Sequence, residues 1–139
     1  MSNSRLIRNA RRGMTLVEIM VVIAIIGVLM SVVAVNVLGY LDDANVEATK
    51  IQIKQMEQAL TVYAAKHKSR FPSTGDGLEA AKQYYSDNRV PTDAWGNPFQ
   101  YFAPGSHGDH PYEIISLGKD GREGGEGANA DIASYTVEE

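Results

Sequence analysis

Residues 11–22 read RRGMTLVEIMVV, from Arg11 to Val22, and the fold depends on how the carboxylate of Glu18 inside this stretch is understood. From Ile19 to Leu41 the chain continues IMVVIAIIGVLMSVVAVNVLGYL, in which only Ser31, Asn36 and Tyr40 carry polar side-chain groups. A run of this length and composition is long enough to span a bilayer as a helix. An acid at its mouth is costly, because an ionised residue at mid-helix loses roughly 2.5–3.5 kcal/mol on insertion, and less near an end. Glu18 therefore requires a partner.

The basic residues preceding it give orientation. The chain has 13 basic and 17 acidic residues, a net charge of -4, yet Arg5, Arg8, Arg11 and Arg12 all precede Gly13 with no acid among them. The rest of the chain carries -8, so it has no basic surface suited to nucleic acid. Arginines flanking an apolar span fit the rule that positive charge stays on the cytoplasmic side. A cleavable secretory signal would have a shorter apolar core followed by a small-x-small cleavage site. A plain anchor accounts for the length and the arginines but leaves Glu18 unexplained. If the chain were cut between Gly13 and Met14, a new α-amino group would lie four residues before Glu18, one helical turn away, and could meet it within one chain or between shifted neighbours.

RRGMTLVEIMVVIAIIGVL resembles the class III signal of type IV pilins and type II secretion pseudopilins. The resemblance implies that a prepilin peptidase removes residues 1–13 as a cytoplasmic leader and methylates Met14, and that Glu18 governs assembly. Met14 stands where the family usually has phenylalanine, and Val35 where it commonly has proline.

Beyond the apolar run, Val46, Thr49, Ile53, Met56, Leu60, Tyr63 and His67 recur at steps of three and four, with Glu47, Lys50, Lys54, Glu57 and Lys66 between them. This predicts an amphipathic helix whose stripe forms core, with His67 at its solvated edge. If it is continuous with the apolar run, Met14 to about Lys68 makes a helix roughly 80 Å long at 1.5 Å per residue. Its first half is apolar all round and must face lipid or other copies of itself. Residues 14–41 are thus expected to serve as membrane anchor and filament core, and residues 42–139 as a globular domain.

Pro72 and the Ser-Thr-Gly-Asp-Gly cluster end the helix, and Leu78 to Tyr85 predicts a short second one. Phe99 to Phe102 and Tyr112 to Leu117 read as short strands around turn signals. The order predicts an α+β fold, a long helix packed on a small antiparallel sheet. Trp95, flanked by turn formers, is expected to plug the edge of the core.

RFPSTGDGLEA, PTDAWGNPFQY, YEIISLGKDG and ADI follow one another as in the major pseudopilins of type II secretion systems, so the resemblance covers nearly the whole chain after residue 13. It implies a type IV pilin-like fold and a structural subunit that polymerises with itself in the periplasm. The implied partners are minor pseudopilins, the inner-membrane assembly platform, the prepilin peptidase and the inner membrane. A type IV pilin or minor pseudopilin is the nearest alternative, and type IVa pilins typically close their C-terminal region with a disulfide, for which this chain has no cysteine. A membrane-tethered periplasmic module is a third reading.

Without cysteine, a small domain outside the cytoplasm needs another staple, such as a metal or polymerisation. Asp120, Glu123, Glu126, Asn129 and Asp131 alternate with glycines near the C-terminus. Oxygen-only donors on a tight loop suit a hard cation such as Ca²⁺, although the spacing is not that of an EF-hand and a solvated acidic loop has the same pattern. The resemblance implies calcium bound by Asp120, Asp131 and the Leu117 carbonyl. Ala130 replaces an aspartate of the family pattern, for which Asn129, Glu126 or a carbonyl could substitute. The His107-Gly108-Asp109-His110 turn reads as plain surface, and no nucleophile motif, phosphate loop or cofactor fingerprint is present, so a structural subunit is expected and not an enzyme.

Overall fold

The computed structural model describes residues 13–137, and the leader arginines Arg5, Arg8, Arg11 and Arg12 lie outside the described residues. The elements run α1 (Leu16–Lys66), a 3₁₀ helix (Leu78–Tyr84), β1 (Gln100–Phe102), β2 (Glu113–Ser116), a one-turn 3₁₀ helix (Gly127–Asn129), β3 (Ile132–Ala133) and α2 (Ser134–Val137). The chain divides into two compact units, one up to Leu38 and one from Gly39 onward.

The first unit is the leading part of α1. No proline occurs before Pro72, so nothing in the sequence interrupts the hydrogen-bond ladder of the 51-residue helix. The apolar window of α1 is wholly uncovered by the chain, with Leu16 78% and Ile23 61% exposed. By length and composition it is able to cross a membrane. Ser31 returns its hydroxyl to the Val28 carbonyl at 2.7 Å, which pairs that donor within the helix. A Cβ built on Gly27 would meet nothing within 4 Å, so this glycine serves no packing within the chain.

In the second unit the predicted stripe becomes core. Ile53, Met56 and Leu60 are fully buried and pack with Leu78, Ala81, Tyr85, Phe99, Tyr101, Ile114 and Ile132. Thr49 is equally buried, and its hydroxyl accepts a hydrogen bond from the Ala94 N–H at 3.2 Å, so a polar residue fits the apolar stripe by capping the turn laid across it. Val46 and Tyr63 are half-buried against this core, and His67 is exposed, its ring stacked on Tyr63 at 3.9 Å between centroids. The sheet is antiparallel in the order β1-β2-β3, with Tyr101 opposite Ile114 and Ser116 opposite Ile132. Strands β1 and β2 form within the two segments that the sequence marks as strands. Strand β3 was not legible because two residues carry no alternation to read.

The second helix is 3₁₀ rather than α. It starts at Gly77, whose φ of 61° is open to glycine, and only Leu78 and Ala81 are buried, an i, i+3 pair that matches a three-residue turn. Trp95 does pack at the core's edge, in a turn closed by the Thr92–Pro98 bridge.

Since all of this core lies within residues 39–137, that fragment is expected to fold alone. Leu60→Ala should cost it about 2–5 kcal/mol. Val62→Ala, on the exposed face of the same helix, should stay within about 0.5 kcal/mol, both read from urea unfolding midpoints.

Candidate functional site

Three groups of side chains account for the polar architecture. The first is at the start of α1. Thr15 is the N-cap: its hydroxyl accepts the Glu18 N–H at 3.2 Å, and the Glu18 carboxylate accepts the Thr15 N–H at 2.7 Å. These reciprocal bonds make a capping box, which satisfies two of the donors that a helix start leaves unpaired. The Thr15-x-x-Glu18 spacing carries this signal in plain sequence. Negative charge in the first turn also opposes the positive end of the helix dipole. Gly13 and Met14, the expected processing positions, precede the cap in non-helical backbone.

The second group fixes the C-terminal loop to the core. Buried Asp93 accepts the Trp95 and Asn97 N–H groups through Oδ1, at 3.1 and 2.8 Å, and the Ser116 hydroxyl through Oδ2 at 2.7 Å. Ser116 Oγ accepts the Gly118 N–H at 3.2 Å, and the Asn97 amide donates to the Gly118 carbonyl at 2.8 Å. The turn around Trp95 is therefore a bracket for Gly118. At that residue φ is 66°, and an added Cβ would meet the backbone of residues 128–130 at 2.8 Å. Lys119 adds a bond from its N–H to the Ala128 carbonyl at 2.9 Å and a bidentate side-chain contact to Asp42 on α1 at 2.8 and 2.9 Å.

These contacts bring Leu117 and Gly118 against residues 128–130, and so beside Asn129 and Asp131. Asp131 accepts the Gly124 N–H at 3.0 Å, whereas Asp120 accepts the Arg122 N–H at 3.2 Å within its own turn. Glu126 is exposed and caps nothing with its side chain. Among the described residues no three of His, Cys, Asp and Glu gather as a metal cluster. The donor chemistry is oxygen alone, and a hard cation here would depend on backbone carbonyls beside Asp120 and Asp131.

The third group was missed by sequence reasoning. Glu113 on β2 is fully buried, and its carboxylate accepts the Ser106 hydroxyl at 2.9 Å, the His107 N–H, and His107 Nδ1 at 3.0 Å. The His107 ring stacks on Tyr135 at 4.5 Å. His107 is thus more than plain surface, since it closes the loop over a buried charge. No local signal marks the pair, because Glu113 heads a short strand and His107 lies across the loop from it. Burial pushes the Glu113 carboxyl up, but the hydrogen bonds from His107 and Ser106 and the charge of His107 outweigh this and hold it below the usual carboxylate range. Burial, with a smaller contribution from Glu79, pushes the Tyr85 phenol up to about 12.

Residues 36–135 match the sequence model of the type II secretion system (T2SS) protein G family, and residues 8–34 match the prokaryotic N-terminal methylation motif. Curated relatives include the type II secretion system core protein G of Pseudomonas aeruginosa, 40% identical over 92% of this chain and 97% of the relative. That of Vibrio cholerae is 37% identical over 91% and 93%. That of Escherichia coli K12 is 38% identical over 84% and 87%.

A carboxyl whose folded value is depressed contributes stability that is complete above its unfolded value and lost as pH falls through the folded one. Residues 39–137 should therefore lose Tm progressively below about pH 4.5, on the acid side of the usual Glu range. Glu113→Gln should lower Tm at pH 7 and flatten that acid slope, as followed by circular dichroism.

Proposed function

We propose that this chain, which belongs to the type II secretion system protein G family, is the repeating subunit of a periplasmic pseudopilus that helps export folded proteins across the outer membrane. The structural role comes with the family. The observation that carries the reading is the division of α1: Ile53, Met56 and Leu60 are covered by the chain's own core, whereas residues 16–34 are exposed among the described residues. Such a helix is stable in lipid, or packed among copies of itself, but not in water. The same surface can serve both states in turn, which is what a subunit stored in a membrane and then drawn into a filament requires.

In this reading the leader stays in the cytoplasm, the prepilin peptidase cuts after Gly13, and Met14 is methylated. Residues 14–41 hold the subunit in the inner membrane with residues 42–139 in the periplasm. Glu18 then sets the assembly register, meeting the new amine of Met14 on its own chain or a neighbour's. Gly27, whose missing Cβ would meet nothing within 4 Å beyond its own helix among the described residues, would let adjacent helices approach closely. Minor pseudopilins and an inner-membrane platform are the further partners. No reaction is assigned to the protein.

Ca²⁺ is proposed as the staple of the C-terminal loop, held by Asp120, Asp131 and the Leu117 carbonyl, with Asn129 and Glu126 supplying further oxygens. A bound cation would neutralise acids that otherwise repel one another and tie together two ends of a glycine-rich loop, so its binding free energy would add to folding.

Two measurements test these readings. Expressed with a prepilin peptidase, the full chain should lose residues 1–13 and carry a methyl group on Met14 by mass spectrometry; an intact Met1 under both conditions would refute the processing route. For residues 39–137, EDTA should lower Tm and excess Ca²⁺ should restore it. Coincident melting curves would remove calcium from the account.

A further inference from the structure

Tyr40 stands apart from the rest of α1. It is the only aromatic residue between Met14 and Val62, and it falls one residue before the end of the uncharged run from Ile19 to Leu41. Its side chain is 75% exposed, more than Leu38 and Leu41 beside it, and it takes no part in the core. Among the described residues its ring stacks on no other ring and its hydroxyl has no hydrogen-bond partner. The chain itself therefore gives this phenol nothing to do.

A tyrosine has an apolar body and a polar tip, and such side chains collect where one end is apolar and the other wet, above all at the headgroup level of a bilayer. Position decides whether this applies. Ile19 to Gly39 make about 31 Å of helix at 1.5 Å per residue, against a hydrocarbon layer about 30 Å thick. A run that fills this layer from Ile19 onward places Tyr40 at the far headgroup level. The charges that follow do not compete for the role. Asp42 is held by the Lys119 ammonium at 2.8 and 2.9 Å, which neutralises the first charge after the run, and acids contribute little to placing a span.

We infer that Tyr40 docks α1 into the periplasmic headgroup layer of the bilayer and so sets the depth at which the stored subunit sits. The inference rests on the membrane-stored subunit proposed above and adds to it the level of Glu18. With Tyr40 among the far headgroups, Glu18 lies just before the hydrocarbon on the near side, where an ionised carboxylate costs far less than at mid-span. The leader arginines hold that near end only while they are attached. Once residues 1–13 are removed, Tyr40 is the one interfacial side chain left along residues 14–41 to hold the far end. Movement of α1 toward the periplasm then lifts Tyr40 out of the headgroup layer and draws Glu18 into hydrocarbon together. Both residues oppose extraction until Glu18 finds its partner. The occupant is lipid rather than a second copy, because the phenol stands where α1 passes from an apolar surface to a charged one. A bilayer makes that same change at that distance, and a neighbouring apolar helix does not.

The full-length chain has no cysteine and one tryptophan, so single labels can be placed in it. It would be processed by the peptidase and inserted in phospholipid vesicles whose acyl chains carry bromine either near the headgroup or near the chain tip. Tyr40→Trp should be quenched mainly by the headgroup-proximal bromines and Val28→Trp mainly by the chain-tip bromines, with the wild-type chain, which holds only Trp95, as the blank. Moving the anchor three residues earlier, Val37→Tyr with Tyr40→Val, should slide α1 by about 4.5 Å toward the periplasmic side. An impermeant maleimide on the cytoplasmic side should then label Leu16→Cys several-fold more slowly than in the chain with Tyr40. Strongest quenching of Tyr40→Trp by the chain-tip bromines, or equal labelling after the anchor is moved, would overturn the inference. So would quenching by neither lipid, a result that assigns the phenol to a protein partner. Val28→Trp keeps the two levels apart. If it is quenched and Tyr40→Trp is not, the span stands and the docking falls, whereas an unquenched Val28→Trp removes the membrane-stored subunit and the docking with it.

Discussion

The controlling constraint is that α1 is longer than anything the chain can lay against it. Its 51 residues include a trailing stripe that the small sheet and the 3₁₀ helix cover, and a leading stretch without a partner among the described residues. Shortening the helix to fit the core would remove the anchor. Enlarging the domain to cover the helix would give a soluble monomer. The chain has neither adjustment, and membrane insertion and polymerisation both follow from leaving apolar surface for something else to cover.

The globular unit, small as it is, makes up for a thin core with buried polar brackets. Asp93 satisfies two backbone donors of its own turn and reaches across to Ser116, which in turn accepts Gly118. Asp93 Oδ1 and Ser116 Oγ each take part in two of these bonds. In a low-dielectric interior such a network stabilises only when its members are all partnered, and these residues meet that condition. The bracket has a positional result: it fixes where the C-terminal loop leaves the sheet, and Lys119 then fixes where that loop meets α1.

Periodic and compositional features were legible in the sequence. The three- and four-residue spacing from Val46 to Leu60 gave the buried face of α1, and the turn formers around Trp95 gave the edge of the core. What remained hidden required a partner distant in sequence. Nothing in Glu113 or His107 alone says that one will be buried beneath the other, because the loop between them must close first. The exchange of an α-helix for a 3₁₀ helix at residues 78–84 has the same origin, since the choice is set by which residues the core accepts. Thr15 is the exception, a signal contained in the local Thr15-x-x-Glu18 spacing.

The capping box at that threonine sharpens what Glu18 can do. A cut after Gly13 would leave the peptide N–H of Thr15 intact, because only the bond before Met14 is broken. Glu18 could keep accepting that N–H through one oxygen while its other oxygen faced the newly charged amine. The cap and the assembly contact are then compatible on one carboxylate rather than alternatives. An ammonium at a helix start is opposed by the helix dipole, and a carboxylate in the first turn offsets it. The same acid that costs free energy in lipid therefore stabilises the helix start, and on the proposed processing route it would gain a further partner. This is a physical reason for its position three residues after Thr15, where a carboxylate can reach back to the cap, rather than deeper in the apolar run.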